Sequence, residues 1–170
     1  MLVSWLPEMM HDFGFSIATS GWLLSYIQFI GLPGTFLAPI LAERLPNQLA
    51  IIVFIVSGGI IGFLGLLIGG PLPLLLLWVT VIGVASGSSI SLSLALLAMR
   101  TQSARQAGEL SGMAQSVGYI LAATGPLLVG ALYDIYSSWT IPIIVIIIVY
   151  LLMMIAGLGA GRNRYVPDSA

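Results

Sequence analysis

Five stretches of this 170-residue chain, roughly 20–41, 49–69, 73–99, 109–133 and 139–161, have interiors without one Asp, Glu, Lys, Arg or His. About 20 apolar residues in a helix cross the hydrocarbon layer of a bilayer. A backbone in lipid must satisfy its own hydrogen bonds, which leaves helices and closed barrels. No stretch alternates with period two as a barrel strand does, so the spans are helices. Composition agrees. Charged residues make up 6% of the chain, against roughly 25% in soluble domains. Most of the outer surface therefore meets lipid, and the fold class is an all-α membrane protein.

The connections are short and carry turn chemistry: Glu43 to Gln48, Gly69 to Pro73, Arg100 to Gly108 and Asp134 to Ser138. Residues 1–12 are too short to cross alone and read as the outer end of a truncated helix. Arg44, the pair Arg100 and Arg105, and the pair Arg162 and Arg164 are separated by two spans each, so all fall on one side. The opposite connections hold no Lys or Arg. The positive-inside rule makes the arginine side cytoplasmic. The expectation is a multi-pass protein of the cell membrane with residues 162–170 as a cytoplasmic tail. Trp5, Trp22, Trp78 and Trp139 fall near the outer ends of spans, where an aromatic belt belongs.

Several function classes drop out. A net charge of −1 and the absence of Lys give no electrostatic footprint for nucleic acid. There is no cysteine, and no cofactor or metal is expected. Gly83-Val84-Ala85-Ser86-Gly87 approaches an intramembrane serine-protease motif but lacks the glycine two before the serine. The one histidine, His11, is expected at the outer surface, out of reach of that serine. Tyr133-Asp134 pairs with Ala160 where an intramembrane aspartyl protease needs a second aspartate, and the two lie at opposite faces. The chain is not expected to be an enzyme.

Polarity inside the spans is uneven. In 109–133, Ser111, Gln115 and Tyr119 are four apart and share a helix face. Beside them Ala114, Gly118 and Ala122 form a small-residue stripe that admits a close neighbour, and Gly125-Pro126 is expected to kink the helix. Gln115 and Tyr119 either bond neighbouring helices or line a solute cavity. Span 73–99 carries Ser86, Ser88, Ser89, Ser91 and Ser93, with Gly83 and Gly87 as a packing pair. Any of these hydroxyls can instead bond its own helix carbonyls. Gln28 is the lone amide of the first full span and is either packing or cavity wall; Gly31, Pro33 and Gly34 after it suggest a bend. Span 49–69 shows Gly58, Gly62, Gly65 and Gly69 as a packing stripe, and the last span is nearly all apolar. With no ionisable group inside a span, a coupling carboxylate has to lie elsewhere.

Several segments resemble the C-terminal half of a major facilitator superfamily transporter. Glu43-Arg44 within Pro39 to Gln48 is similar to that superfamily's inner-loop motif, departing at Pro39, Pro46 and Asn47. More specific are Leu110-Ser111-Gly112-Met113-Ala114-Gln115-Ser116-Val117-Gly118-Tyr119, the run Gly125-Pro126-Leu127-Leu128-Val129-Gly130, Trp5-Leu6-Pro7 and Ala160-Gly161-Arg162. They resemble the cyanate-permease and 2-nitroimidazole-exporter family. The resemblance implies a six-helix half, one helix truncated, of a twelve-helix bundle with its solute site between the halves.

It also implies that the second and fifth full spans are peripheral. The expected function is alternating-access transport of a small polar solute, with Gln28, Ser86, Ser111, Gln115 and Tyr119 on the path. Glu43, Arg44, Arg100, Arg105 and Glu109 are the candidate inner gate, whose alternative is a set of solvated interfacial charges. Expected partners are lipid, the solute, and either an N-terminal six-helix half or a second copy. The alternative reading is a non-transporting polytopic scaffold or an inactive remnant.

Overall fold

The computed structural model describes residues 2–162 as six helices. They are α1 (Leu2–Asp12), α2 (Ile17–Arg44), α3 (Leu49–Ile68), α4 (Leu72–Met99), α5 (Ala104–Tyr136) and α6 (Thr140–Ala160). All but α1 are long and apolar enough to span a membrane. The 33 residues of α5 extend roughly 50 Å at 1.5 Å per residue. That exceeds a hydrocarbon layer of about 30 Å, so α5 is longer than the layer it can cross.

Local chemistry sets the helix starts and stops. Ser16 caps α2 by accepting from the Thr19 amide at 3.2 Å, and Ser103 caps α5 by accepting from the Gln106 amide at 3.2 Å. The turn between α3 and α4 passes through Gly69 at φ +69° and Gly70 at φ +126°, which residues with a Cβ rarely adopt. Pro71 and Pro73 then sit at the start of α4, where a missing N–H costs nothing. Ser137 closes α5 in the left-handed region at φ 47°.

The most extensive packing joins α2 to α4, followed by α3 on α4 and α3 on α6. Glycines make the first crossing possible. A Cβ on Gly87 would lie 2.3 Å from the Gly31 carbonyl oxygen, and one on Gly34 would lie 2.5 Å from that of Val84. A Cβ on Gly83 would meet the Ile27 oxygen at 2.9 Å. The two backbones touch, as small residues allow in membranes. Gly31 and Gly34, expected to mark a bend, serve this crossing, and α2 stays continuous through Pro33 and Pro39. On α3 the packed row is Gly59, Gly62 and Gly65, against Tyr150, Ile82 and Trp78. Gly58 is only in ordinary contact with Val81, and Gly69 belongs to the turn.

Two cores result. Leu6, Met9 and Met10 of α1 join Leu23, Phe63, Val79, Val129 and Ile143 at one end of the bundle. Ala38, Ala42, Ile52, Ile55 and Leu92 form the other, towards the arginines. Helix α5 packs lightly on α4 and α6, and most of its middle is exposed.

Candidate functional site

The exposed faces of the spans are of two kinds. Helices α3 and α6 present large apolar side chains outward, Val53, Phe54, Ile61 and Leu64 on one and Ile148, Leu151, Leu152 and Ile155 on the other. Helix α2 presents Gly21, Ser25 and Gln28 alongside Trp22, Phe29 and Phe36. Helix α5 presents Tyr119 at 70% exposure, with Gln115 and Ser111 half-buried beneath it on the same face. A face turned to lipid has no use for an amide, since an unpaired polar group in hydrocarbon costs several kcal/mol.

Beside that stripe, Gly118 has nothing within 4 Å, and Ala122 is exposed. Of the small-residue stripe expected to receive a neighbour, Gly118 meets none among the described residues, while Ala114 is half-buried. The reason is topological, because α5 contacts the bundle through a different side. Gly125, Val129 and Gly130 are its buried residues. The carbonyl of Pro126 accepts from the indole N–H of Trp5 at 2.9 Å, and a Cβ on Gly130 would lie 2.7 Å from the same ring.

Ser86 lies away from this surface. Its hydroxyl is 3.4 Å from that of Tyr150, which reaches it from α6. Ser89, Ser91 and Ser93 donate to carbonyls of their own helix at 2.7–3.1 Å, the silent arrangement open to any helical serine. The recess between α3, α4 and α6, lined by Ile52, Val56, Leu92 and Met153, measures about 50 Å³ and is apolar.

The candidate gate divides into two different structures. Arg100 is only 9% exposed. It donates to the carbonyls of Ala160 at 3.2 Å and Gly161 at 3.3 Å, and to the side-chain oxygen of Gln48. Gln48, 3% exposed, donates in turn to the Ala42 carbonyl at 3.0 Å, at the close of α2. One buried node thus joins the ends of α2, α4 and α6 to the start of α3. A cation at helix C-termini is also favoured by their dipoles. Arg105 and Glu109 form an ion pair at 2.8 Å within one turn of α5, open to solvent. Glu43 and Arg44 are exposed at the end of α2. Arg100 therefore ties helix ends together, and the structure does not gather the five charges into one network among the described residues.

At the opposite end is a cluster that the sequence reading missed. Asp12, closing α1, accepts from the hydroxyl of Tyr133 on α5 and from the indole N–H of Trp139 at 2.7 Å. The two rings stack with centroids 4.4 Å apart. The Tyr133 bond, then the Trp139 bond, hold the Asp12 carboxyl below its usual range, with a smaller contribution from His11 and slight burial opposing. No spacing in the sequence marks three residues this far apart as partners.

Nor did the sequence single out the pair formed by Tyr26 and Thr80. Their hydroxyls are 2.8 Å apart across the α2–α4 crossing, and Thr80 also donates to the Leu76 carbonyl at 2.7 Å.

No solved structure matches the chain. The uncharacterized transporter YycB of Bacillus subtilis is 48% identical over 98% of this chain and 42% of its own length. A 2-nitroimidazole transporter of Escherichia coli is 36% identical over 96% of the chain and 41% of its own. The cyanate transport protein CynX of Escherichia coli is 29% identical over 81% of the chain and 35% of its own. The chain thus spans about two fifths of the length of the first two. The Major Facilitator Superfamily profile matches residues 1–169. An apolar six-helix array with these relatives is a multi-pass membrane protein of a transporter family, not of an enzyme family: the chain belongs to the major facilitator superfamily, as a relative of its 2-nitroimidazole and cyanate transporters.

Proposed function

We propose that this chain forms one wall of the path by which a small polar solute crosses the cell membrane by alternating access. The observation that carries the reading is the contrast between the aliphatic outer faces of α3 and α6 and the mixed faces of α2 and α5. Gln115 offers two donors and an acceptor, and Tyr119 adds a hydroxyl and an aromatic wall. Gln28 supplies a second amide from α2. These groups suit a small planar solute without requiring charge. The names of the relatives, a 2-nitroimidazole transporter and a cyanate transport protein, are compatible with such a cargo. The opposite wall comes from the remaining length that the relatives have, or from a second copy of this chain.

The four described arginines, Arg44, Arg100, Arg105 and Arg162, belong to one end of the bundle, which we assign to the cytoplasm with the C-terminus. On that side the exposed charges Glu43, Arg44, Arg105 and Glu109 remain candidates for a gate. The test is uptake of radiolabelled 2-nitroimidazole and cyanate by the full-length Bacillus subtilis relative. Gln115→Ala and Tyr119→Phe, placed at the aligned positions, should each weaken apparent affinity by about 1–2 kcal/mol, the cost of one lost hydrogen bond with its partner left unpaired. Unchanged affinity for both solutes at normal membrane abundance overturns the assignment of this face.

A further inference from the structure

We infer that Trp22 and Tyr26 form a stacking platform for a planar heteroaromatic solute, near the end of α2 that lies opposite the arginines. The inference rests on the transport reading and names the solute class that this end of the path selects.

The rings of Trp22 and Tyr26 stack with centroids 5.3 Å apart and planes 18° from parallel. Tyr26 cannot swing freely, because its hydroxyl is bonded to Thr80 across the glycine-lined crossing, and Thr80 is itself bonded to the Leu76 carbonyl. That anchoring fixes one ring of the pair, and the stack orients the other. Trp22 remains 55% exposed, so one ring is committed to Tyr26 while much of the indole surface stays open. A preorganised aromatic surface binds a planar ring at little conformational cost, since ordering a free side chain would otherwise oppose binding.

The setting favours a solute over lipid as occupant. Trp22 lies on the exposed side of α2 with Gly21 and Ser25, each within one turn of it, and Gln28 is exposed about 1.7 turns further on. Gly21, the preceding residue, has nothing other than its chain neighbours within 4 Å of where a Cβ would stand. Ser25 donates to the Gly21 carbonyl at 3.4 Å, a long bond that leaves its oxygen able to accept. Gln28 continues the same side towards the middle of the span. The platform is therefore continuous with the mixed surface already assigned to the path. A linear solute such as cyanate gains nothing from a flat π-surface, whereas a ring with polar edge atoms gains stacking and hydrogen bonds together.

The experiment uses the full chain in lipid vesicles with Trp5, Trp78 and Trp139 each replaced by Phe, so that Trp22 is the one fluorophore. 2-Nitroimidazole, a planar quencher, is titrated in. The expected result is saturable quenching that cyanate does not displace and imidazole does. Tyr26→Phe and Thr80→Val, which remove the anchoring hydrogen bond, should each raise the half-saturation concentration about fivefold, with unchanged helix content by circular dichroism. Quenching that rises linearly, as it does for a free tryptophan derivative, overturns the platform. So does strong quenching of Trp22 by brominated lipid, which marks a belt residue facing acyl chains. Either outcome leaves the roles of Gln115 and Tyr119 standing, because those are read from uptake and not from Trp22.

Discussion

The guanidinium of Arg100 donates to the side-chain oxygen of Gln48 in a buried site where four helix ends converge. The Gln48 amide turns the other way, to the Ala42 carbonyl, so charge and amide between them satisfy terminal groups of α2 and α6. Removing Arg100 leaves several of these groups buried without it. Arg100→Ala should cost about 1–3 kcal/mol of stability, the penalty for unsatisfied buried polar groups. Arg100→Lys should not restore it fully, since one ammonium cannot reproduce the planar fork. By contrast Arg105→Ala, which breaks a solvent-exposed pair, should cost under about 0.5 kcal/mol. Thermal unfolding in detergent measures all three.

Glycine positions separate just as sharply. Gly87→Val places carbon against the Gly31 carbonyl, at a Cβ distance of 2.3 Å, and should disrupt the α2–α4 crossing. Gly118→Val meets nothing within 4 Å and should leave the fold of this chain intact. Protease resistance in membranes distinguishes them. The same Gly118 variant losing resistance would show that its open face is covered in the assembled state.

The Asp12 cluster should respond to acid. Its carboxyl is held below the usual value of about 3.9 by its bonds to Tyr133 and Trp139. A depressed pKa contributes stability that is present above the ordinary carboxylate range and lost as pH falls through the lowered value. Trp139 fluorescence should therefore be constant from pH 7 to about pH 5 and change only below the ordinary carboxylate range. Asp12→Asn should show the altered signal at neutral pH already. A transition between pH 7 and about pH 5 would contradict this reading of the Asp12 cluster.

The six helices were legible because lipid imposes a length and an apolarity that soluble cores do not. Their pairing was less so. Gly83 and Gly87 stand out as a small-residue pair, but Gly31 and Gly34, which face them across the crossing, sit beside Pro33 and suggest a bend. Ser86 and Arg100 carry polar groups whose direction depends on which neighbour lies opposite, and only the assembled bundle sets that. Asp12, Tyr133 and Trp139 come from α1, α5 and the residue that precedes α6, and no local pattern joins them.

Orientation rests on charge alone and is tested separately. A reporter fused after Ala170 should be active in the cytoplasm, and one inserted near Ser137 should be active outside. A cytoplasmic signal from the Ser137 insertion inverts the assignment.

The central claim is that α2 and α5 face a solute path while α3 and α6 face lipid. The chain has no cysteine, so single cysteines can be placed at Gln28, Gln115 and Tyr119 and, for comparison, at Phe54 and Ile148. Each variant is treated in native membranes with a small charged thiol reagent. The first three should react rapidly and be protected by 2-nitroimidazole, and the last two should resist. Equal resistance at all five positions, or faster reaction at Phe54 and Ile148, would contradict the account.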